Sequence, residues 1–466
     1  MPSDTPPRFQ TVNPRTGERV GEPHPAHDVR HADRLLDDGV AAQRGWAAVD
    51  REQRIEFCRK AAARFRARSE QLAGLITLEM GKHAAEARAE IEKCAALCDY
   101  YAGLLTRVGP RVIERAGGYV RVEYRPLGVI LGIMPWNFPC WQVARFAVPT
   151  VAAGNAVVVK HAPNVPACGE ALGALFAEVL PRGIYQNLRL TTERTEALIG
   201  DDRIAGVSLT GGTAAGRSVG VAAGRAIKPS VLELGGSDAY LVLADADLEL
   251  AADVLARGRL VNAGQSCISP KRIIVQREVY AAFGEALVER CRGIEFVSQD
   301  AAGDMEGQLA PLARADLRAN LHAQIGESVA AGAKLRCGGA IPDGAGYRYP
   351  ATVLSDVPAE SPAFRQELFG PAFALARAED ESQAVRLAND SVFGLGGGVF
   401  SRDLDRAERI ASRGLRAGAV AVNDFVRSDP AVPFGGVGES GYGRELGEEG
   451  LRGFVNVKSI SVAAPR

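Results

Sequence analysis

Short, wholly apolar runs recur along this chain with helical stretches between them, and this alternation constrains the fold more than any other feature. The runs cover residues 129–133, 156–159, 206–209, 231–234, 240–243, 273–275 and Ala419–Val422. A strand that is apolar at every position has both faces buried. Strands of that kind, separated by helices, assemble into parallel sheets covered on each side. One segment differs: Val120, Val122 and Tyr124 alternate with Arg121, Glu123 and Arg125, the period of a strand with one wet face. Upstream, residues 28–107 carry helical spacing. Ile55, Phe57, Phe65, Leu72, Leu75 and Ile76 anchor one stretch, and Cys94, Leu97, Cys98, Tyr101 and Leu105 form an apolar face on another. Gly81 predicts the stop between them.

At 466 residues the chain exceeds one ordinary core, so two or three domains are expected, with Gly235-Gly236 the best break inside the α/β region. The 55 Lys and Arg balance the 56 Asp and Glu, which leaves no global field for nucleic acid or an anionic membrane surface. No stretch reaches the ~18 apolar residues of a spanning helix. The polar, proline-rich first ten residues lack a secretory h-region. Eight cysteines without a Cys-x-x-Cys pair fit a reducing compartment, so a cytoplasmic protein is expected. Cys94 and Cys98, one turn apart, read as buried small apolar residues. His24, His27 and His31 read as part of a solvated strand or turn, and no metal site is expected.

Four patterns carry chemistry. Asn262-Ala263-Gly264-Gln265-Ser266-Cys267 brings a single cysteine through small residues that leave room for a substrate. Taken alone it reads more readily as a structural cysteine, although even a few per cent of thiolate is a strong nucleophile. Val231-Leu232-Glu233-Leu234-Gly235-Gly236 sets a carboxylate in an apolar strand, where burial raises its pKa toward the range of a general base. A helix cap or an Arg partner is the competing explanation. In Pro135-Trp136-Asn137-Phe138-Pro139, two prolines fix the backbone around an amide able to donate to an oxyanion, unless the segment is only a rigid aromatic turn. Glu367-Leu368-Phe369-Gly370-Pro371 holds a ribose hydroxyl or is ordinary loop chemistry.

Together, in this order, the four patterns resemble the aldehyde dehydrogenase superfamily. The resemblance runs from Asn13-Pro14-Arg15-Thr16-Gly17 to Gly443-Arg444-Glu445-Leu446-Gly447, through Ala153-Gly154-Asn155 before Lys160 and through Pro433-Phe434-Gly435-Gly436. The stretches Lys160-His161-Ala162-Pro163-Asn164-Val165 and Ser428-Asp429-Pro430 look like its bacterial succinate-semialdehyde dehydrogenase branch. The resemblance implies a Rossmann-like cofactor domain (residues 1–117 and 137–234), an α/β catalytic domain (235–440) and a small β extension used in oligomerisation (118–136 and 452–466). A homodimer or homotetramer is expected. It further implies Cys267 as nucleophile, Glu233 as base and Asn137 as oxyanion donor. Trp136, Lys160, Pro163, Gly211, Gly212, Glu367 and Phe369 are expected at NAD or NADP, without the G-x-G-x-x-G fingerprint.

The implied reaction is oxidation of an aldehyde, with succinate semialdehyde to succinate the expected case and another aliphatic aldehyde or semialdehyde the alternative. An acyl-CoA-forming relative does not need Glu233, and an inactive binding protein is expected to lose Cys267, Glu233 or Asn137. Pro163 stands where NAD-selective relatives carry an acid, so Lys160 is expected to accept a ribose hydroxyl or a phosphate, with a lean to NAD. Gly212 replaces the usual Ser of the family. Arg145, eight residues after Asn137, is expected to bind a substrate carboxylate with help from Ser428. Val261 stands where some relatives place a second Arg.

Overall fold

The structure, a computed structural model, describes residues 7–464 apart from Glu306. Its helical region divides into Val29–Ala48, Arg51–Ala67, Ser69–Met80 and Ala84–Leu105. Local chemistry sets the breaks. Asp50 accepts from the Gln53 backbone N–H, and the Gln53 side chain accepts from the Asp50 N–H, a reciprocal cap that starts the second helix. The third ends at Gly81 with φ +77°. A Cβ there would lie 2.7 Å from Pro311 Cγ and 3.0 Å from Pro14 Cβ, so backbone sign and space both demand glycine.

All seven apolar runs form strands, in two sheets. A six-stranded sheet has the order Gly441–Tyr442, Ser230–Glu233, Ile204–Thr210, Val129–Met134, Ala156–His161, Tyr185–Asn187. Only its two-residue edge strand is antiparallel. A seven-stranded sheet has the order Lys334–Cys337, Thr352–Ser355, Ala372–Ala378, Arg272–Gln276, Ala239–Val242, Gly396–Phe400, Ala419–Val422, again with one antiparallel edge strand. The chain passes from the first sheet to the second between Glu233 and Ala239, through Gly235-Gly236. Each sheet is buried under its own helices.

The alternating segment forms Gly118–Pro126, paired antiparallel with Arg111–Arg115 on one side and Val455–Ala463 on the other. This ribbon leaves Val112, Ile113, Val457 and Val462 exposed. One expectation is corrected here. The β extension was drawn to residue 136, yet Val129–Met134 lies inside the six-stranded sheet between Ala156–His161 and Ile204–Thr210. A strand apolar on both faces belongs in a covered sheet, and Gly128, with φ +147°, turns the chain into it. Arg8–Val12 and Arg19–Pro25 add an antiparallel pair that the proline-rich sequence does not announce. No helix among the described residues is long and apolar enough to cross a membrane.

Gly81→Ala is expected to destabilise the protein by about 2 kcal/mol, since it combines a left-handed backbone with overpacking against two prolines. Urea unfolding checks it. A midpoint equal to that of the parent would show that the neighbouring prolines yield.

Candidate active site

In the six-stranded sheet the chain runs outward from Val129–Met134 in both directions, to Ala156–His161 and to Ile204–Thr210. Open parallel sheets bind ligands beyond the carboxyl ends of their strands at such a reversal. The expected residues gather there. Pro135-Trp136-Asn137 follows Met134, Gly211-Gly212 follows Thr210, and Glu233 ends its own strand. Lys160 is buried near the end of Ala156–His161, with Pro163 exposed in the next loop. Gly212 caps the helix Thr213–Arg225, and a Cβ on it would meet nothing within 4 Å, so this helix terminus opens on unfilled space. A helix N-terminus with a nearby lysine suits a dinucleotide's phosphates. Trp136 meets Phe369 edge to face at 5.8 Å. Glu367 Oε1 accepts from the Gly236 N–H at 3.1 Å and lies 3.4 Å from Lys271 Nζ. The residues present therefore fit a dinucleotide.

The loop that carries Cys267 is cross-tied to the segment that carries Asn137. Asn262, Ala263 and Gly264 have φ of +56°, +52° and +73°, three left-handed residues in a row. Hydrogen bonds hold that backbone. The Asn262 N–H donates to Glu86 (3.0 Å), and its amide donates to the Asn137 carbonyl (2.8 Å). Asn137 Nδ2 donates to the Gln265 carbonyl at 3.1 Å. An amide nitrogen has two hydrogens, so one remains for an oxyanion. Lys271 Nζ donates to the carbonyls of Cys267 (2.6 Å) and Ser266 (3.0 Å). The Cys267 backbone N–H donates to no group among the described residues.

Burial pushes the Cys267 thiol up to about 12, against the pull of Arg145 and Lys271, while Glu367 and Glu233 add to the rise. Glu233 is buried, and neither of its oxygens has a hydrogen-bond partner among the described residues. Burial raises its pKa well above the carboxylate range. Glu445 adds to that shift, and Arg145 and Arg444 oppose it.

Cys267 borders a cavity of about 340 Å³ whose wall includes Arg145, Ser428, Phe138, Trp141 and Phe425. Asn137 and Glu233 are not part of that wall. Arg145 does reach the cavity, but its guanidinium is already engaged: Nε lies 2.5 Å from Glu445 Oε2 and Nη2 donates to Thr210 Oγ1 at 3.3 Å. The Phe434 ring stacks on it at 4.9 Å. The bidentate grip on a substrate that the sequence suggested is thus only partly open to Arg145. Glu445, Lys271, Glu86 and Lys93 all serve the site and were not singled out from the sequence. Glu86, Glu90 and Lys93, at helical spacing beside an apolar face, gave a signal; the others are joined to the site only by the fold.

The chain matches the Aldehyde dehydrogenase family over residues 1–460 and belongs to it. It is 43% identical over 456 residues to the succinate semialdehyde dehydrogenase [NAD(P)+] of Escherichia coli (strain K12), covering 97% of both chains. To the probable succinate-semialdehyde dehydrogenase [NADP(+)] of Synechocystis it is 41% identical, covering 97% of this chain and 99% of the other. The solved succinic semialdehyde dehydrogenase of Streptococcus pyogenes in complex with NADP+ superposes with a TM-score of 0.94 at 33% identity, over 98% of this chain and all of the other. The activity is thus NAD(P)-dependent oxidation of an aldehyde, and the alternative of an inactive binding protein finds no support.

Arg145→Leu leaves Glu445 without its ion-pair partner and Glu233 with Arg444 alone opposing its shift. Breaking a buried pair costs about 3 kcal/mol, so the unfolding midpoint is expected to fall at neutral pH. Glu445 has a raised pKa and is neutral below it. The deficit should therefore shrink as pH falls. Losses of kcat/KM are expected on charged and uncharged aldehydes alike, and a loss confined to carboxylated aldehydes would make Arg145 a dedicated substrate ligand.

Proposed function

We propose that this enzyme oxidises a short aldehyde bearing a terminal carboxylate, succinate semialdehyde, to the diacid with NAD(P)+. The observation that carries the reading is a single cavity holding the Cys267 thiol together with cationic and hydroxyl groups, Arg145 and Ser428 among them. The names of its relatives support it. The six-stranded body serves the cofactor and the seven-stranded body the chemistry. The exposed ribbon is an edge for a partner subunit in a cytoplasmic homodimer or homotetramer.

Cys267 gives up its thiol proton to solvent, and the resulting thiolate sulfur attacks the aldehyde carbon. The developing oxyanion takes the second Asn137 Nδ2–H and the Cys267 N–H, donors fixed in advance by the cross-tied loop. When bound, the oxidised cofactor supplies the hydride acceptor. Trp136, Lys160, Gly211, Gly212, Glu367 and Phe369 are the residues that would hold it. The acyl group stays on Cys267 as a thioester until Glu233 takes a proton from water, and the acid departs with the thiol restored. Glu233 suits this step because its oxygens are unpartnered and its raised pKa makes it a better proton acceptor than an ordinary carboxylate.

With Pro163 in place of an acid, nothing at that position repels a 2′-phosphate, so both cofactors are used. The expected lean to NAD has no support from relatives whose names carry NADP(+) or NAD(P)+. The test is a kcat/KM panel of succinate semialdehyde against butanal with each cofactor. A preference for the carboxylated aldehyde is expected. Parity would overturn the substrate, and a cofactor ratio above roughly a thousandfold (about 4 kcal/mol) would overturn dual use.

Glu233→Gln is expected to give a burst of NAD(P)H and then slow turnover, because acylation outlives the loss of the base. In the parent, Glu233 works only when ionised. The deacylation rate should rise with pH past the ordinary carboxylate range, and that limb should vanish in the variant. Stopped-flow absorbance reads both, and equal losses of burst and steady state would remove Glu233 from deacylation.

A further inference from the structure

Four cations stand on the wall of the Cys267 cavity: Lys82, Lys93, Arg145 and Arg427. Three face a carboxylate. Lys82 pairs with Glu90, Arg145 with Glu445 and Arg427 with Asp424. Lys93 pairs with none among the described residues. We propose that Lys93 is the charge that receives the substrate's carboxylate, with Ser428 as the second donor. This rests on the carboxylated-aldehyde reading and names its binding residue.

Lys93 lies on the helix Ala84–Leu105, one turn past Glu90 and two past Glu86, and all three side chains border the cavity. The two glutamates are committed to structure. Glu86 accepts from Asn262, and Glu90 accepts from the backbone N–H groups of Cys140 (2.9 Å) and Trp141 (3.0 Å). Lys93 Nζ donates to Ser428 Oγ at 2.7 Å and lies 4.2 Å from the Trp141 ring. An ammonium has three donors, and the side-chain bonds use one. Ser428, accepting from Lys93, keeps its own O–H for the other carboxylate oxygen. A half-buried cation without an anion is costly, and an arriving carboxylate removes that cost. The aldehyde end then meets Cys267 on the same wall, which limits the substrate to a short chain.

Burial lowers the Lys93 pKa to about 8. Neighbouring Arg145 lowers it too, while Cys94, Glu90 and Asp429 raise it. The site thus keeps its charge at neutral pH and loses it in mild alkali.

The test compares Lys93→Met and Lys93→Arg with the parent on succinate semialdehyde and butanal. Lys93→Met is expected to cut the ratio of the two kcat/KM values about tenfold or more, through KM for the semialdehyde. Lys93→Arg should recover most of the ratio. In the parent, KM for the semialdehyde should climb above about pH 8 while KM for butanal does not. An unchanged ratio in Lys93→Met, or equal falls in kcat on both aldehydes in both variants, overturns the inference. Should the parent itself show no preference for the carboxylated aldehyde, the substrate reading fails first. A preference that survives Lys93→Met removes Lys93 alone.

Discussion

Arg259 is fully buried, has no carboxylate in ion-pair contact among the described residues, and is held by backbone carbonyls and one hydroxyl. Nε donates to the Ala372 carbonyl (2.7 Å), Nη2 to Leu368 (2.7 Å), and Nη1 to Gly264 (3.2 Å) and to the Ser269 hydroxyl. One planar group therefore ties the approach to the nucleophile, the turn after it, the Glu367–Phe369 segment and a strand of the second sheet. Burial lowers its pKa to about 9, opposed by Glu367 and Asp238, so it is a cation at neutral pH. The left-handed run 262–264 needs such support, since non-glycine residues there cost about 1–2 kcal/mol each. Without Arg259, Gly264, Leu368 and Ala372 would carry carbonyls with one buried donor fewer.

A second charge problem lies on the other side of the thiol. Glu233 and Glu445 are both buried, and both have raised pKa values from burial. One guanidinium, Arg145, acts on the pair and on Cys267. Two carboxyls against one shared guanidinium, with Arg444 opposing the shift at Glu233 as well, resist double ionisation, so a proton taken up by either is readily held. That affinity is what the role proposed for Glu233 needs, since a base takes a proton only while it is ionised and then has to keep it. It also explains why the site tolerates a buried carboxylate with no hydrogen bond: its proton affinity is the property in use.

What the sequence made legible follows from physics that is local. Strands buried on both faces are apolar throughout, so six of the seven runs were visible for that reason, while Ala419–Val422 is apolar but half-buried at an edge of its sheet. Gly81 ends its helix through its own backbone sign, which is equally local. The extension's far edge was misdrawn because Gly118–Pro126 and Val129–Met134 follow each other across only Leu127 and Gly128, with no helix to separate a wet ribbon from a buried sheet. Cys267, Glu233 and Asn137 were picked out through matched motifs, and their roles belong to the proposal. The long-range partners were not: Glu445 reaches Arg145 across 300 residues of chain, and Lys93 reaches Ser428 across 335. Buried ion pairs have no sequence period, so only the fold reveals which charges are already answered.

A resting thiol pushed up to about 12 is a poor nucleophile and, for the same reason, a poor target for oxidants, which act on thiolate. Among the described residues, Arg145 and Lys271 are the cations that pull this pKa back down. Both are already occupied, by Glu445 and by the carbonyls of Ser266 and Cys267. A substrate carboxylate near sulfur would add to the negative charge that already raises the thiol's pKa. Placing the anion's partner on the helix Ala84–Leu105, with Ser428 beside it, keeps the substrate's negative end neutralised while its aldehyde meets the thiol.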